Sequence, residues 1–78
     1  MKFTRYFESL NARHDRAGIE LEGIEYVVRN PEREMTQRDG RIRRWARIHE
    51  AGGRALRVVL LEDGEAVHNA FFDRNSLS

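Results

Sequence analysis

Hydrophobic side chains in the first thirty residues recur every three or four positions, which is the spacing of one face of an α-helix. The first stripe predicts a helix over residues 4–17, with Thr4 as its N-cap residue and Gly18 as the residue that ends it. The second stripe predicts a helix over residues 20–29. The pair Asn30-Pro31 ends this helix, because the residue before a proline disfavours helical backbone angles.

From residue 34 onward the hydrophobic period changes to two residues, the period of a β-strand. The pairs Asp39-Gly40 and Asp63-Gly64 are typical of two-residue hairpin turns, and Gly52-Gly53 marks a longer turn. These signals predict strands over residues 35–38, 41–49, 55–62 and 65–73, and residues 74–78 are expected to fray. The predicted fold is a single α+β domain over residues 1–78, with two N-terminal helices packed on one face of a three- to four-stranded antiparallel β-meander.

Strand pairing predicts which residues share a face of this sheet. The expected opposing pairs are Leu60 and Val67, Val58 and Asn69, Leu56 and Phe71, and Ile48 and Val58. The residues expected to face the helices are Ile42, Ala46, Ile48, Leu56, Val58, Leu60, Val67 and Phe71. The residues expected on the opposite face are Arg43, Trp45, Arg47, His49, Arg57, Val59, His68, Ala70 and Phe72. Arg44 falls on the helix-facing side, where we expect it to reach past the sheet edge, to pair with a helix carboxylate or to mark a bulge.

The length and composition of the chain restrict its class. A chain of 78 residues buries a small core, which a dimer or a partner protein could stabilise further. It contains no cysteine, which removes disulfides, thiolate metal sites and cysteine nucleophiles and suits the reducing cytoplasm. No apolar run has the length of a membrane span, and the N-terminus lacks the apolar region of a signal peptide. We therefore expect a cytoplasmic protein with no membrane partner.

Arginines are concentrated in one part of the chain. Residues 38–57 contain seven arginines against two acids, although the net charge of the whole chain is only +1. Along the predicted strand over residues 41–49, alternation gathers cations and one aromatic ring on a single face: Arg41, Arg43, Trp45, Arg47 and His49. Such a face suits a nucleic-acid strand, because guanidinium groups bind phosphate and flat rings stack on bases. The alternative is an ordinary solvated strand face.

The usual catalytic and metal-binding signatures are missing from the sequence. Gly52-Gly53 lacks the lysine of a phosphate-binding P-loop. His14, His49 and His68 fall on three different elements without the spacing of metal ligands. We therefore expect neither a metal nor a cofactor.

Cleavage of RNA without a metal is still open to these residue types. It requires a base for the ribose 2′-hydroxyl, a cation for the charge that develops on phosphorus, and an acid for the leaving oxygen. His68 and Arg57, on adjacent predicted strands, are the first candidates, and His49 follows. Trp45 is either a base-stacking surface or an anchor in a protein interface. The expected phosphate-binding residues are Arg41, Arg43 and Arg47. Equally, His68 could simply occupy a half-exposed strand position.

Two segments resemble a widespread family of small bacterial proteins of unknown function. Residues 18–32 follow the family pattern G-I-x-x-x-x-I-x-x-V-hydrophobic-x-N-P-E, and residues 52–59 follow G-G-R-x-L-R-V-V. That family is similar in architecture to the RelE-like and BrnT-like toxins of toxin–antitoxin pairs. The resemblance implies helices packed on an antiparallel sheet whose opposite face cleaves mRNA. The chain departs from it at Ser9, where the family usually carries a histidine, and in lacking the lysines of RelE-like active sites.

The basic face and the resemblance together lead us to expect an RNA-directed, toxin-like protein that acts as a metal-free endoribonuclease, or mRNA interferase, of a toxin–antitoxin system. Its expected partners are RNA, including ribosome-associated mRNA, a neutralising antitoxin protein, and a second copy of the chain in a homodimer. Two alternatives stay open. The same face could bind a protein or a second copy without breaking any bond, or it could bind RNA without cleaving it.

Overall fold

The computed structural model describes residues 2–11 and 19–73. Its strands are β1 (Lys2–Phe3), β2 (Arg33–Thr36), β3 (Ile42–Ile48), β4 (Arg54–Leu60) and β5 (Ala66–Asp73), its helices are α1 (Arg5–Asn11) and α2 (Leu21–Arg29), and a 3₁₀ turn covers His49–Ala51. Each predicted strand is found within two residues of its expected bounds. The predicted end of the first helix at Gly18 and the predicted frayed tail over residues 74–78 lie outside the described residues.

The five strands form one mixed sheet in the order β1-β5-β4-β3-β2. Strands β2 to β5 pair antiparallel with their sequence neighbours, as the predicted meander requires. β1 pairs parallel with β5, with Lys2 opposite Ala66 and Phe3 opposite Val67. The α+β class is confirmed, but the prediction of three to four antiparallel strands is wrong by this one parallel strand, because two residues are too few to show a period.

Two of the helix boundaries that the sequence predicts within the described residues have a visible cause. Thr4 caps α1, because its Oγ1 accepts a hydrogen bond of 3.1 Å from the Phe7 N–H. At the end of α2 the Asn30 N–H donates to the Tyr26 carbonyl oxygen over 2.8 Å, and Pro31 follows. Neither described helix combines the length and the hydrophobicity that a membrane-spanning helix needs.

The hydrophobic core lies between the two helices and one face of the sheet. The helices contribute Phe7, Ile24 and Val27, and the sheet contributes Ala46, Ile48, Leu56, Val58, Leu60, Val67 and Ala70. Burying a side chain the size of leucine or valine stabilises a fold by about 1.5–3 kcal/mol, so these contacts hold the helices to one side of the sheet. The other side is left without a described helix, and we call it the open face.

The hairpin turns are longer than the two residues predicted. In the β2–β3 hairpin the Gln37 N–H donates to the Arg41 carbonyl oxygen over 2.7 Å, which leaves a three-residue loop over residues 38–40. Gly40 takes a φ of 92° at the end of this loop, a conformation that favours glycine. The β4–β5 hairpin closes through a 2.9 Å hydrogen bond from the Leu61 N–H to the Ala66 carbonyl oxygen.

Strands β3 and β4 pair in a register four residues away from the predicted one. Ile48 lies opposite Arg54 rather than Val58, and Val58 lies opposite Arg44. A shift by an even number of residues keeps every side chain on its own face. The predicted division of β3 and β4 into helix-facing and outward-facing residues is therefore confirmed.

Strand β5 contains a bulge that the sequence does not indicate. Leu60 pairs with Val67 as predicted, but Val59 pairs with Asn69, so His68 is the extra residue between them. Side chains of β5 that precede the extra residue lie on their predicted faces of the sheet. Side chains that follow it lie on the opposite faces from those predicted.

The bulge reverses the predicted faces of the last part of β5. Ala70 and Phe72, predicted on the outward face, lie opposite core residues of β4, and Ala70 is fully buried. Phe71, predicted in the core, lies opposite Arg57 instead. The open face therefore gains an aromatic ring at Phe71 beside that arginine.

Arg44 ties the end of α2 to the sheet. Its guanidinium donates to the Glu34 carboxylate over 2.5 Å and to the Val28 carbonyl oxygen over 3.1 Å. A cation near the last turn of a helix is favourable, because carbonyl oxygens are unpaired there. The carboxylate belongs to the residue directly opposite Arg44 on β2 rather than to a helix, and β3 contains no bulge, so none of the three expected roles is the observed one.

Candidate nucleic-acid interface

Three guanidinium groups gather around two aromatic rings and a carboxylate on the open face. The six residues, which we call the arginine cluster, are Arg33, Arg43, Trp45, Arg57, Phe71 and Asp73. They come from four adjacent strands, and strand pairing brings them together: Arg33 lies opposite Trp45, Trp45 opposite Arg57, and Arg57 opposite Phe71. Directly opposite residues of an antiparallel pair share a face, so the register itself builds this cluster.

Trp45 lies at the base of the cluster and is only 3% exposed. The guanidinium carbon of Arg33 lies 5.3 Å from the centre of its ring and that of Arg57 lies 5.9 Å away. Its indole N–H donates to the Asp73 carboxylate over 3.4 Å. The expectation of an exposed stacking surface is therefore wrong for Trp45, because arginine side chains and Asp73 take the positions next to its ring. Its role is to support the cations above it.

Arg57 is the most constrained cation of the cluster. Its guanidinium carbon lies 4.2 Å from the centre of the Phe71 ring, and its Nε lies 3.5 Å from an oxygen of Asp73. That Nε is buried and has no hydrogen-bond acceptor among the described residues. Burial lowers the pKa of Arg57, the Asp73 carboxylate opposes this, and the charge of Arg43 lowers it further. The guanidinium nevertheless stays charged at any working pH.

Arg43 is held beside Arg57 by a polar neighbour. With the Gln37 amide turned so that its oxygen faces the guanidinium, that oxygen accepts a hydrogen bond of 2.9 Å from the Arg43 Nε. The side chain is half-buried, and its charge acts on Arg57. A neutral amide orients Arg43 without cancelling its charge, so two cations lie next to each other on this face.

Three other predicted site residues are not members of this cluster, although Arg47 lies on the same face two residues beyond Trp45. Arg41 belongs to the β2–β3 turn, where its Nε lies 3.7 Å from an Asp39 oxygen. Arg47 is an exposed residue of β3, and its backbone N–H donates to the Glu32 carboxylate over 2.8 Å. His49 is exposed and begins the 3₁₀ turn after β3. Arg47 and His49 border a separate shallow groove, whose other side is residues 22–26 of α2.

His68 lies in the β5 bulge, next to the start of α1. Its Nδ1 and the Thr4 Oγ1 are 3.2 Å apart and share a hydrogen bond. Its ring stacks on Tyr6 with 4.7 Å between ring centres. Burial lowers the pKa of His68, and the charge of Arg41 lowers it further. His68 is therefore a neutral imidazole at neutral pH, with one nitrogen fixed by the N-cap residue of α1.

The two histidines do not lie near one another. His49 follows Ile48, which pairs with Arg54 at the start of β4, whereas His68 lies beside Val59 near its end. Five residues of strand separate the two positions, which is about 16 Å. His49 and His68 therefore cannot act together on one phosphate. Arg57 is two residues from Val59, or about 7 Å along the strand, so Arg57 lies nearer to His68 than His49 does.

Three residues of the cluster are missing from the predicted site. Arg33 precedes the predicted first strand by two residues, and Asp73 and Phe71 take their positions only through the bulge at His68. The acid at the end of β5 was visible in the sequence as the last charge before the tail, but only the bulge brings it opposite Ala55 and near Trp45. Among residues 2–11 and 19–73, no group of three or more histidine, aspartate or glutamate side chains is arranged to hold a metal ion.

Comparison of this chain with known proteins gives no match to a family model, to a curated protein or to a solved structure.

Proposed function

We propose that the open face of the sheet binds single-stranded RNA, and that this binding serves a metal-free endoribonuclease of the toxin type. The observation that supports it is the arginine cluster, in which the charges of Arg43 and Arg57 act on each other beside two aromatic rings, on a face that no described helix covers. A strand of phosphates is a partner whose negative charges would oppose the repulsion between these two neighbouring cations. Arginine suits this partner, because its planar fork of donors matches two phosphate oxygens at once.

Phosphate contact is assigned to Arg43 and Arg57, which lie on adjacent strands and act on each other electrostatically. Trp45 and Phe71 hold the arginine side chains in place from below, so less side-chain entropy is lost when a phosphate binds. The burial of Trp45 weighs against the alternative in which this ring anchors a protein partner, because an anchor residue must be accessible before binding.

Cleavage is the second step of the proposal and uses His68 as the base. With its Nδ1–H donating to the Thr4 Oγ1, its Nε2 carries the lone pair that accepts the proton of a ribose 2′-hydroxyl. The 2′-oxygen then bonds to the adjacent phosphorus, the bond from phosphorus to the 5′-oxygen breaks, and solvent supplies the proton of the leaving 5′-hydroxyl. Arg57 stabilises the charge that develops on the phosphate oxygens. The products are a 2′,3′-cyclic phosphate and a 5′-hydroxyl end.

Tightly induced expression in a bacterial host tests the cleavage step. The wild type is expected to arrest growth and to produce new RNA ends that carry 5′-hydroxyl groups. His68→Gln removes the base and is expected to abolish both effects, whereas Arg29→Ala, an exposed substitution on α2, leaves them unchanged at equal soluble expression. Growth arrest by His68→Gln to the same degree as the wild type would reject His68 as the base.

A further inference from the structure

The outer edge of β2 is exposed and has no role in the proposed function. β2 is the last strand of the sheet on its side, and all four of its residues, Arg33–Thr36, are exposed. One of them, Met35, exposes 40% of its surface although it is a large hydrophobic residue. An exposed edge strand offers a row of backbone donors and acceptors to another strand.

The direction of those backbone groups follows from the β2–β3 ladder. Hydrogen-bonded and non-hydrogen-bonded pairs alternate along an antiparallel ladder. Gln37 donates its N–H to Arg41, so Met35 and Arg43, two residues further along each strand, form the next hydrogen-bonded pair. Glu34 and Thr36 therefore direct their N–H and C=O groups away from β3, toward the outer edge.

We propose that β2 pairs with β2 of a second copy of this chain, in an antiparallel register centred on Met35. In this register Glu34 of each copy lies opposite Thr36 of the other, so the outward backbone groups of both copies meet in hydrogen-bonded pairs. Met35 lies opposite itself on the two-fold axis, where side chains of a non-hydrogen-bonded pair are closest. Two exposed methionines thereby cover each other.

Charge and the position of the turn favour a register centred on Met35 over registers centred one residue earlier or later. Moving the centre to Glu34 would set two carboxylates opposite each other, and moving it to Thr36 would carry the pairing into the turn at residues 38–40. Centred on Met35, the register brings Glu32 of each copy toward Arg38 of the other, just beyond the strand. Both residues are exposed, and the contact is made twice.

The dimer has a consequence for the open face. Met35 pairs with Arg43, so its side chain lies on the open face, and directly paired residues of two strands share a face. The two five-stranded sheets therefore join into one of ten strands with both open faces on the same side. The dimer itself does not depend on RNA binding, but a continuous RNA track across both arginine clusters rests on the proposed function.

Sedimentation equilibrium of the full chain without RNA tests the dimer. The wild type is expected to be a dimer at micromolar concentration. Met35→Lys sets two ammonium groups against each other, and Thr36→Pro removes an outward N–H while sparing the ladder to β3; both are expected to give folded monomers. Met35→Leu and Thr36→Val are the matched controls and should remain dimeric. A monomeric wild type would overturn the proposal, as would dimers of both disruptive variants.

A cross-link tests the register. The chain contains no cysteine, so Met35→Cys introduces a single thiol. Mild oxidation is expected to convert this variant fully into a covalent dimer, because the paired positions lie about 4.5–5.5 Å apart between Cβ atoms. Glu25→Cys, an exposed position on α2, should cross-link far more slowly. Equal cross-linking rates would contradict the register. A dimer that binds no RNA would support the proposed interface and would contradict only the proposed function.

Discussion

The indole nitrogen of Trp45 lies 3.4 Å from a carboxylate oxygen of Asp73, two strands away across β4. The same oxygen lies 3.5 Å from the Nε of Arg57. One carboxylate therefore positions a buried ring and partly neutralises the cation above it. Asp73 therefore reduces the positive charge that Arg57 contributes to the open face.

The Asp73→Asn substitution separates these two roles. The amide oxygen can still accept from the Trp45 N–H, but the negative charge beside Arg57 is gone. We expect single-stranded RNA to bind about two- to fivefold tighter, a change typical of one partly exposed charge pair. Anisotropy of a labelled oligoribonucleotide measures this, with Glu22→Gln on α2 as the control. Weaker binding by Asp73→Asn would mean that the carboxylate itself contacts the RNA.

Arg44 should contribute measurably to the stability of the fold. Arg44→Ala removes its contacts with the Glu34 carboxylate and with the Val28 carbonyl oxygen at the end of α2. We expect the free energy of unfolding to fall by about 1–2 kcal/mol, since the contact is charge-assisted but partly exposed. Urea denaturation measures the loss. Arg29→Ala, which breaks an exposed pair with Glu25 at 4.0 Å, should change stability by less than about 0.5 kcal/mol. Similar losses of stability in both variants would mean that the contacts of Arg44 with Glu34 and Val28 do not stabilise the fold.

The stability of the protein should depend on pH through His68. Its pKa in the folded chain lies below the ordinary value of 6.5, whereas the unfolded chain protonates it near that value. Between the two values the unfolded state binds more protons, so the free energy of unfolding falls as pH falls through this window. Above the window the stabilising contribution of His68 is fully present. Unfolding of the wild type and of His68→Gln, compared at about pH 8 and about pH 5, should show a smaller loss in the variant. An equal loss in both would assign the effect to other groups.

The sequence predicts the elements of the fold that have a regular period of hydrophobic residues. Helical and two-residue periods locate both helices and four strands, and an even register error between β3 and β4 leaves Arg43, Trp45 and Arg57 on the predicted face. β1 is missed because it has two residues. The bulge at His68 carries no glycine or proline signal, and it alone decides that Phe71 and Asp73 join the cluster.

Exposure is harder to predict than the face on which a residue lies. Trp45 occupies the predicted face, yet it is buried, because Arg33 and Arg57 extend their long side chains over a ring that none of the described helices covers. The sequence pattern predicts base stacking by Trp45 and phosphate binding by the arginines. These roles are not separate in the structure, because the ring and the cations pack against each other. His49 and His68 share the predicted outward face, and only the strand register puts them at opposite ends of β4.

The most direct test is the salt dependence of binding to a single-stranded oligoribonucleotide. If about three phosphates are engaged, log K against log salt concentration should have a slope of about −2, and Arg43→Ala should reduce its magnitude by about 0.7. Arg29→Ala removes the same charge from the helix side and should leave the slope unchanged. No binding by the wild type, or the same slope in all three proteins, would contradict the assignment of the open face to RNA.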